Sequence, residues 1–229
     1  MEYICIIIVT LVICIVIAII LKLNPKKIKQ IAEDDELNKI AEKFPSNIEI
    51  CKKILKMLNN ENVKIEEDNE AKDCLYMVAF NKIIIAGTQK NFTRIQTIAH
   101  ECLHSVQEKR IQMFNFVFSN ICILYFIVIL ALGILKLLPN KMLFLTIYIL
   151  LSFAHFFIRA YLENDAMIKA KYLAKEYLEE KNISTKEEIA QLIDGYTRLN
   201  NEGIKAVNYQ LFIEILTKVI IFSVVALIF

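Results

Sequence analysis

Residues 100–104 read His-Glu-Cys-Leu-His, and this is the spacing in the chain best suited to chemistry. Residues four apart share one face of a helix, so His100 and His104 can present two imidazole nitrogens to a single Zn²⁺. Glu101, beside them, is within reach of water at such an ion and suits the role of general base. The chain has only three histidines, and this motif uses two of them. A hydrolytic zinc site also needs a third protein ligand and an open position. The remaining histidine, His155, lies inside an apolar run, so a carboxylate is expected. Glu163 is the best candidate, because it stands just past an apolar segment whose hairpin partner follows the histidine motif.

Such a site needs a helix to carry the pair. Asn91, Phe92 and Thr93 offer cap-type residues, and Ile95, Ile98, Ala99, Cys102, Leu103 and Val106 recur at helical spacing. The pattern predicts a helix over residues 94–113 that runs on into the next apolar segment, with both histidines at the polar edge of its stripe. Upstream, Ser46 with Glu49 forms a capping box for a helix that ends near Asn59 and Asn60. Val63, Lys64 and Ile65 suggest a short strand. Residues 75–80 and 82–86 read as two strands around Asn81, and Gly87 as a turn. Ile83, Ile84 and Ile85 read as an edge strand able to pair with an extended substrate. Residues 66–70, four of five acidic, read as a solvated loop. Downstream, a helix over about 161–180 continues out of an apolar run. Ser184 with Glu187 predicts another capping box, followed by an amphipathic helix through Ile189, Leu192, Ile193, Tyr196 and Leu199.

These elements sit in a chain that is 56% hydrophobic, too apolar for a soluble enzyme of 229 residues. Four stretches, residues 3–23, 116–138, 142–160 and 211–229, are long enough to span a bilayer. The first lacks a basic leader or a small-residue cleavage site and reads as an uncleaved anchor. Pro139, Asn140 and Lys141 join the second and third into a tight antiparallel hairpin. Lys22, Lys26, Lys27 and Lys29 crowd one flank of the first span, which sets the N-terminus outside and the next polar segment in the cytoplasm. Lys136 and Lys141, at the outer turn, argue weakly the other way. Four crossings place both polar segments on one side. The expected order is a transmembrane anchor (1–23), a cytoplasmic α+β region with the histidine helix (24–112), a transmembrane hairpin (113–160), a cytoplasmic helical region with the third ligand (161–208) and a C-terminal span (209–229). A net charge of +2 without a basic block excludes nucleic acid as a partner. The six cysteines have no C-x-x-C pairing and read as buried thiols in a reducing compartment.

At this point the chain resembles a family. His100-Glu-Cys-Leu-His104-Ser-Val-Gln107, the preceding strand pair, Asn47-Ile-Glu-Ile-Cys-Lys-Lys-Ile-Leu55, and Glu163-Asn-Asp-Ala-Met-Ile-Lys-Ala170 look like the bacterial membrane-bound neutral zinc metallopeptidases of the YugP type. The resemblance implies a gluzincin-like enzyme that hydrolyses peptide bonds of a peptide or protein substrate, with His100, His104 and Glu163 as zinc ligands and Glu101 as catalytic base. The fold it implies is a mainly α membrane protein: four transmembrane helices and a small α+β zincin-like metallopeptidase domain with a short β-hairpin. Leu103 stands where related motifs often carry Gly, and Met167 where wider relatives place an Asp behind a ligand His. Asp165 is expected to point about 200° away from Glu163 around the helix.

Three other readings remain open. A catalytically inactive homologue would keep the metal as a membrane scaffold for partner proteins. A transporter-like protein would use His155 in the third span, otherwise read as an interhelical hydrogen-bonding residue, with Glu214 and Lys218 as an i,i+4 pair in the fourth. A di-iron site would need a second Glu-x-x-His, and none exists. Arg159, Tyr161 and Tyr172 are candidates to stabilise an oxyanion, and spacing selects none of them.

Overall fold

In the computed structural model, residues 1–71, 73–87 and 90–229 are described. They form two compact units. One comprises Met1–Leu23, Phe114–Tyr161 and Lys205–Phe229, and the other Asn24–Met113 and Leu162–Ile204. Among the described residues the protein is mainly helical, with four long apolar helices and one small sheet.

The first unit draws on α1 (Glu2–Ile20), α6 (Lys109–Ile134), α7 (Lys141–Lys181) and α8 (Lys186–Ile228), each long and apolar enough to cross a membrane. Thr10 is the one buried residue of α1, and Ile8 and Ile15 are more than half exposed, as suits side chains that face lipid. Leu137 N–H donates to the Leu132 carbonyl and ends α6, with Lys136 at φ 58°. Pro139 blocks continuation, and Asn140 Oδ1 accepts from Leu143 N–H to start α7. Phe126, Ile129, Tyr148, Val219 and Phe222 form the core between these helices.

The second unit holds the polar segments. Asn24 caps α2 (Pro25–Ala32), with proline in the first turn, and Asp34 caps α3 (Asp35–Glu42). Neither helix is among those the sequence pattern predicts. Ser46 and Glu49 make the expected capping box on α4 (Asn47–Met57). Strands β1 (Lys64–Asp68), β2 (Leu75–Met77) and β3 (Lys82–Ala86) follow, then α5 (Arg94–Val106).

The sheet order is β1-β3-β2, so the isoleucine strand β3 is central and not an edge. It runs parallel to β1, with Lys64 opposite Lys82, and antiparallel to β2, with Leu75 opposite Ile84. Burial explains the order: Ile83 and Ile85 are fully buried, while the two flanking strands carry the more exposed residues. The acidic run is correspondingly part strand: Glu66, Glu67 and Asp68 lie in β1. Asp68 Oδ1 then accepts from the N–H groups of Glu70 and Ala71 and turns the chain.

Two helix boundaries also differ from expectation. The histidine helix does not run to residue 113. It ends at Val106, Gln107 is extended at ψ 161°, and α6 starts afresh at Lys109. The second C-terminal capping box is Thr185 with Glu188, one residue later than Ser184 with Glu187, and α8 continues from there without a break into the last apolar stretch.

Arg94 locks the second unit together. Its buried guanidinium donates to the carbonyls of Ala41, Phe44 and Pro45 and to Asn47 Oδ1, all at 2.8 Å. It thereby satisfies carbonyls left over at the end of α3. Asn47 Nδ2 in turn donates to the Ala86 carbonyl of β3 at 3.0 Å. One side chain at the start of the histidine helix thus fixes α3, α4 and the sheet.

Candidate metal centre

Ile95, Ile98, Ala99 and Cys102 of α5 are fully buried, and this leaves His100 and His104 half-buried on the helix's other side. Val106, the last residue of the predicted stripe, is exposed, because the helix ends there. Glu163 of α7 meets the pair within the second unit. The Nε2 atoms of His100 and His104 are 3.0 Å apart, and Glu163 Oε2 lies 3.4 Å from the first and 3.6 Å from the second. Three ligand atoms around one zinc at 2.0–2.2 Å stand about 3.4 Å apart in tetrahedral geometry. The donor set and its spacing therefore fit a single divalent ion, and these three residues form a group able to hold one.

Gln107 fixes the orientation of one imidazole. Its Nε2 donates to the Leu162 carbonyl at 2.8 Å and to Asp165 Oδ2 at 3.0 Å. Both partners only accept, so the amide oxygen must face His104 Nδ1, 2.8 Å away. Nδ1 then carries the hydrogen, and the Nε2 lone pair is left for the cluster. Gln112 Nε2 reinforces the arrangement by donating to Gln107 Oε1 at 3.2 Å and to the His104 carbonyl. The break after Val106 is what brings Gln107 back towards its own helix. Asp165 is consequently not turned away from the centre: it supports His104 through Gln107, and Lys169 holds its other oxygen at 2.6 Å. Burial pushes the Asp165 carboxyl up, but the contacts with Lys169 and Gln107 outweigh it and hold the group below its usual range.

The electrostatics follow from the same contacts. Burial pushes Glu163 up, yet the imidazoles of His100 and His104 beside it hold its carboxyl well below the usual range. Burial lowers His104, and its contacts with Glu163, Glu101 and Gln107 together more than reverse this. Glu101 is buried, and its carboxyl is raised by that burial even though both imidazoles and the Tyr76 N–H favour the charged form. Glu101 Oε2 accepts from the outward-facing Tyr76 N–H of strand β2 at 2.6 Å, and Oε1 lies 3.9 Å from His100 Nε2.

Other expectations resolve differently. The Met167 carbonyl accepts from Asn200 Nδ2 at 2.8 Å, and Asn200 Oδ1 accepts from Gln96 Nε2 at 2.6 Å. Tyr172 is exposed and packs under Lys171. The cysteines are free thiols, with Cys51 and Cys102 buried behind the motif at 3.8 Å between sulfurs. Sequence reasoning missed the supporting roles of Gln112 and Tyr76, which depend on a helix break and a strand pairing that local patterns do not encode. The chain matches no protein family, no curated protein and no solved structure.

Proposed function

We propose that this chain is a membrane-bound, zinc-dependent metallopeptidase of the kind it resembles, with its centre on the cytoplasmic side of a four-pass, zincin-like protein. The observation that carries this reading is the convergence of the His100 and His104 Nε2 atoms with Glu163 Oε2, beside a buried Glu101. A zinc ion held there supplies Lewis-acid chemistry, lowering the pKa of water and polarising a carbonyl. Glu101 takes the proton at Oε1, the oxygen not engaged by Tyr76, and returns it to the leaving amine. Its raised carboxyl suits that two-way transfer. Gln107 keeps the His104 lone pair aimed at the ligand position throughout. Strand β2, an outer strand of the sheet with its Tyr76 amide on Glu101, replaces β3 as the strand against which an extended peptide would lie.

The test is zinc analysis of the purified full-length protein, with cleavage of casein or a fluorogenic peptide measured alongside. The parent is expected to hold about one zinc per chain. Glu101→Gln should keep that zinc and cleave about 10²–10⁴-fold more slowly. Cleavage by Glu101→Gln at the parent rate defeats the mechanism. Zinc bound without any hydrolysis by the parent selects the scaffold reading in its place.

A further inference from the structure

The first unit contains a second polar site, built from none of the histidine-motif residues. A cavity of about 80 Å³ lies among α6, α7 and α8, with Ser119, Ser152, His155, Arg159, Glu214 and Lys218 in its wall. That volume takes several water molecules or one phosphate-sized group. All six residues belong to stretches that the proposed topology sets in the bilayer or at its edge. Polar groups there are costly unless something satisfies them.

Their partners are incomplete. The i,i+4 pair of Glu214 with Lys218 does not form. Glu214 instead meets Arg159 at 3.8 Å, and Lys218 makes no ion pair among the described residues. His155 does not make the expected interhelical bond through Nε2, which is buried and has no hydrogen-bond partner. Two cations and one carboxylate line the cavity, so one positive charge is in excess, and the Ser119 and Ser152 hydroxyls and the His155 imidazole share its wall. Arg159 is at the end of its apolar stretch, and Lys218 lies about 10 Å into the next at 1.5 Å per residue. The site thus spans the depth where headgroup phosphates meet the hydrocarbon.

We propose that this cavity binds a phosphate-type oxyanion, held by Arg159 and Lys218 and completed by donors from Ser119, Ser152 and His155. Two sources share that chemistry, an anionic phospholipid headgroup and free phosphate. The site shares no residue with the metal centre, so Glu101→Gln should leave it unaltered.

The experiment follows the thermal unfolding midpoint of full-length protein in detergent during titration with three probes: dioleoylphosphatidylglycerol, inorganic phosphate, and dioleoylglycerol, which has the same chains without phosphate. A rise with phosphatidylglycerol alone identifies a headgroup site, and a rise with inorganic phosphate as well identifies a free-oxyanion site. Lys218→Gln should weaken the effective probe about tenfold, the loss of one charge-assisted hydrogen bond, whereas Lys218→Arg should restore it. The double substitution Lys26→Gln with Lys29→Gln, outside the cavity, should leave the affinity unchanged. If Lys218→Gln does not fold, Ser119→Phe, which fills the cavity and keeps every charge, should show the same weakening. Failure of both phosphate probes, an equal response to dioleoylglycerol, or undiminished affinity in the folded cavity variant overturns the proposal.

Discussion

Arg94 and Lys218 are both cations placed among apolar side chains, and the two units treat them in opposite ways. Arg94 has four acceptors at 2.8 Å, three of them backbone carbonyls, so its charge is spent on holding structure. Lys218 has no ion-pair partner among the described residues, and a cavity lies in front of it. The metal cradle follows the Arg94 pattern: Gln107 bonds to His104 on one side and to Leu162 and Asp165 on the other. Where the protein's own groups close a polar network, the result is a fixed geometry ready for a small ion. Where they leave it open, the last partner must come from elsewhere.

This contrast can be broken at graded points. The largest effect is expected from Arg94→Met, which strands the Phe44 and Pro45 carbonyls and Asn47 Oδ1 and should cost about 3–5 kcal/mol in chemical denaturation. A loss below about 1 kcal/mol would show that the carbonyls find water and that the network is not what holds the unit. Gln107→Leu comes next. It removes the acceptor that fixes the His104 tautomer, so zinc affinity by chelator competition should fall about 10–100-fold while the fold survives. Asp165→Asn should do less, under about tenfold, because the Leu162 carbonyl still anchors the Gln107 amide. The smallest change is expected for Lys53→Ala. Its pairing with Glu180 is on the surface, and its loss should shift stability by no more than about 1 kcal/mol.

How far the site could be read in advance depended on the range of the interactions that make it. His100, Glu101 and His104 were legible because helical spacing is a local rule, and the Ser46–Glu49 box for the same reason. The choice of Glu163 rested on elimination and on the hairpin, and the structure brings it to the pair. The break at Gln107 was not legible, since it is held by a carbonyl 55 residues away. The centrality of β3 depends on a parallel partner across the helix-free stretch after α4, again a non-local pairing. The shift from Ser184 to Thr185 is a different failure: both frames satisfy the capping-box spacing, and sequence alone does not choose between them. Asn24-Pro25 and Asp34 are local capping signals for α2 and α3, but each helix is only eight residues long, too short for apolar spacing to stand out beside the membrane pattern.

The Gln107–Leu162 contact also bears on when the centre comes into being. A growing polypeptide that has emerged only as far as the second apolar stretch already has both imidazoles on one turn, but it has neither the carboxylate nor the carbonyl that orients His104. Closing a loop of that length costs entropy that rises only slowly with its span, so assembly waits on synthesis more than on the search. Until α7 is laid down, the nascent protein has two of the three donors and no complete seat for an ion.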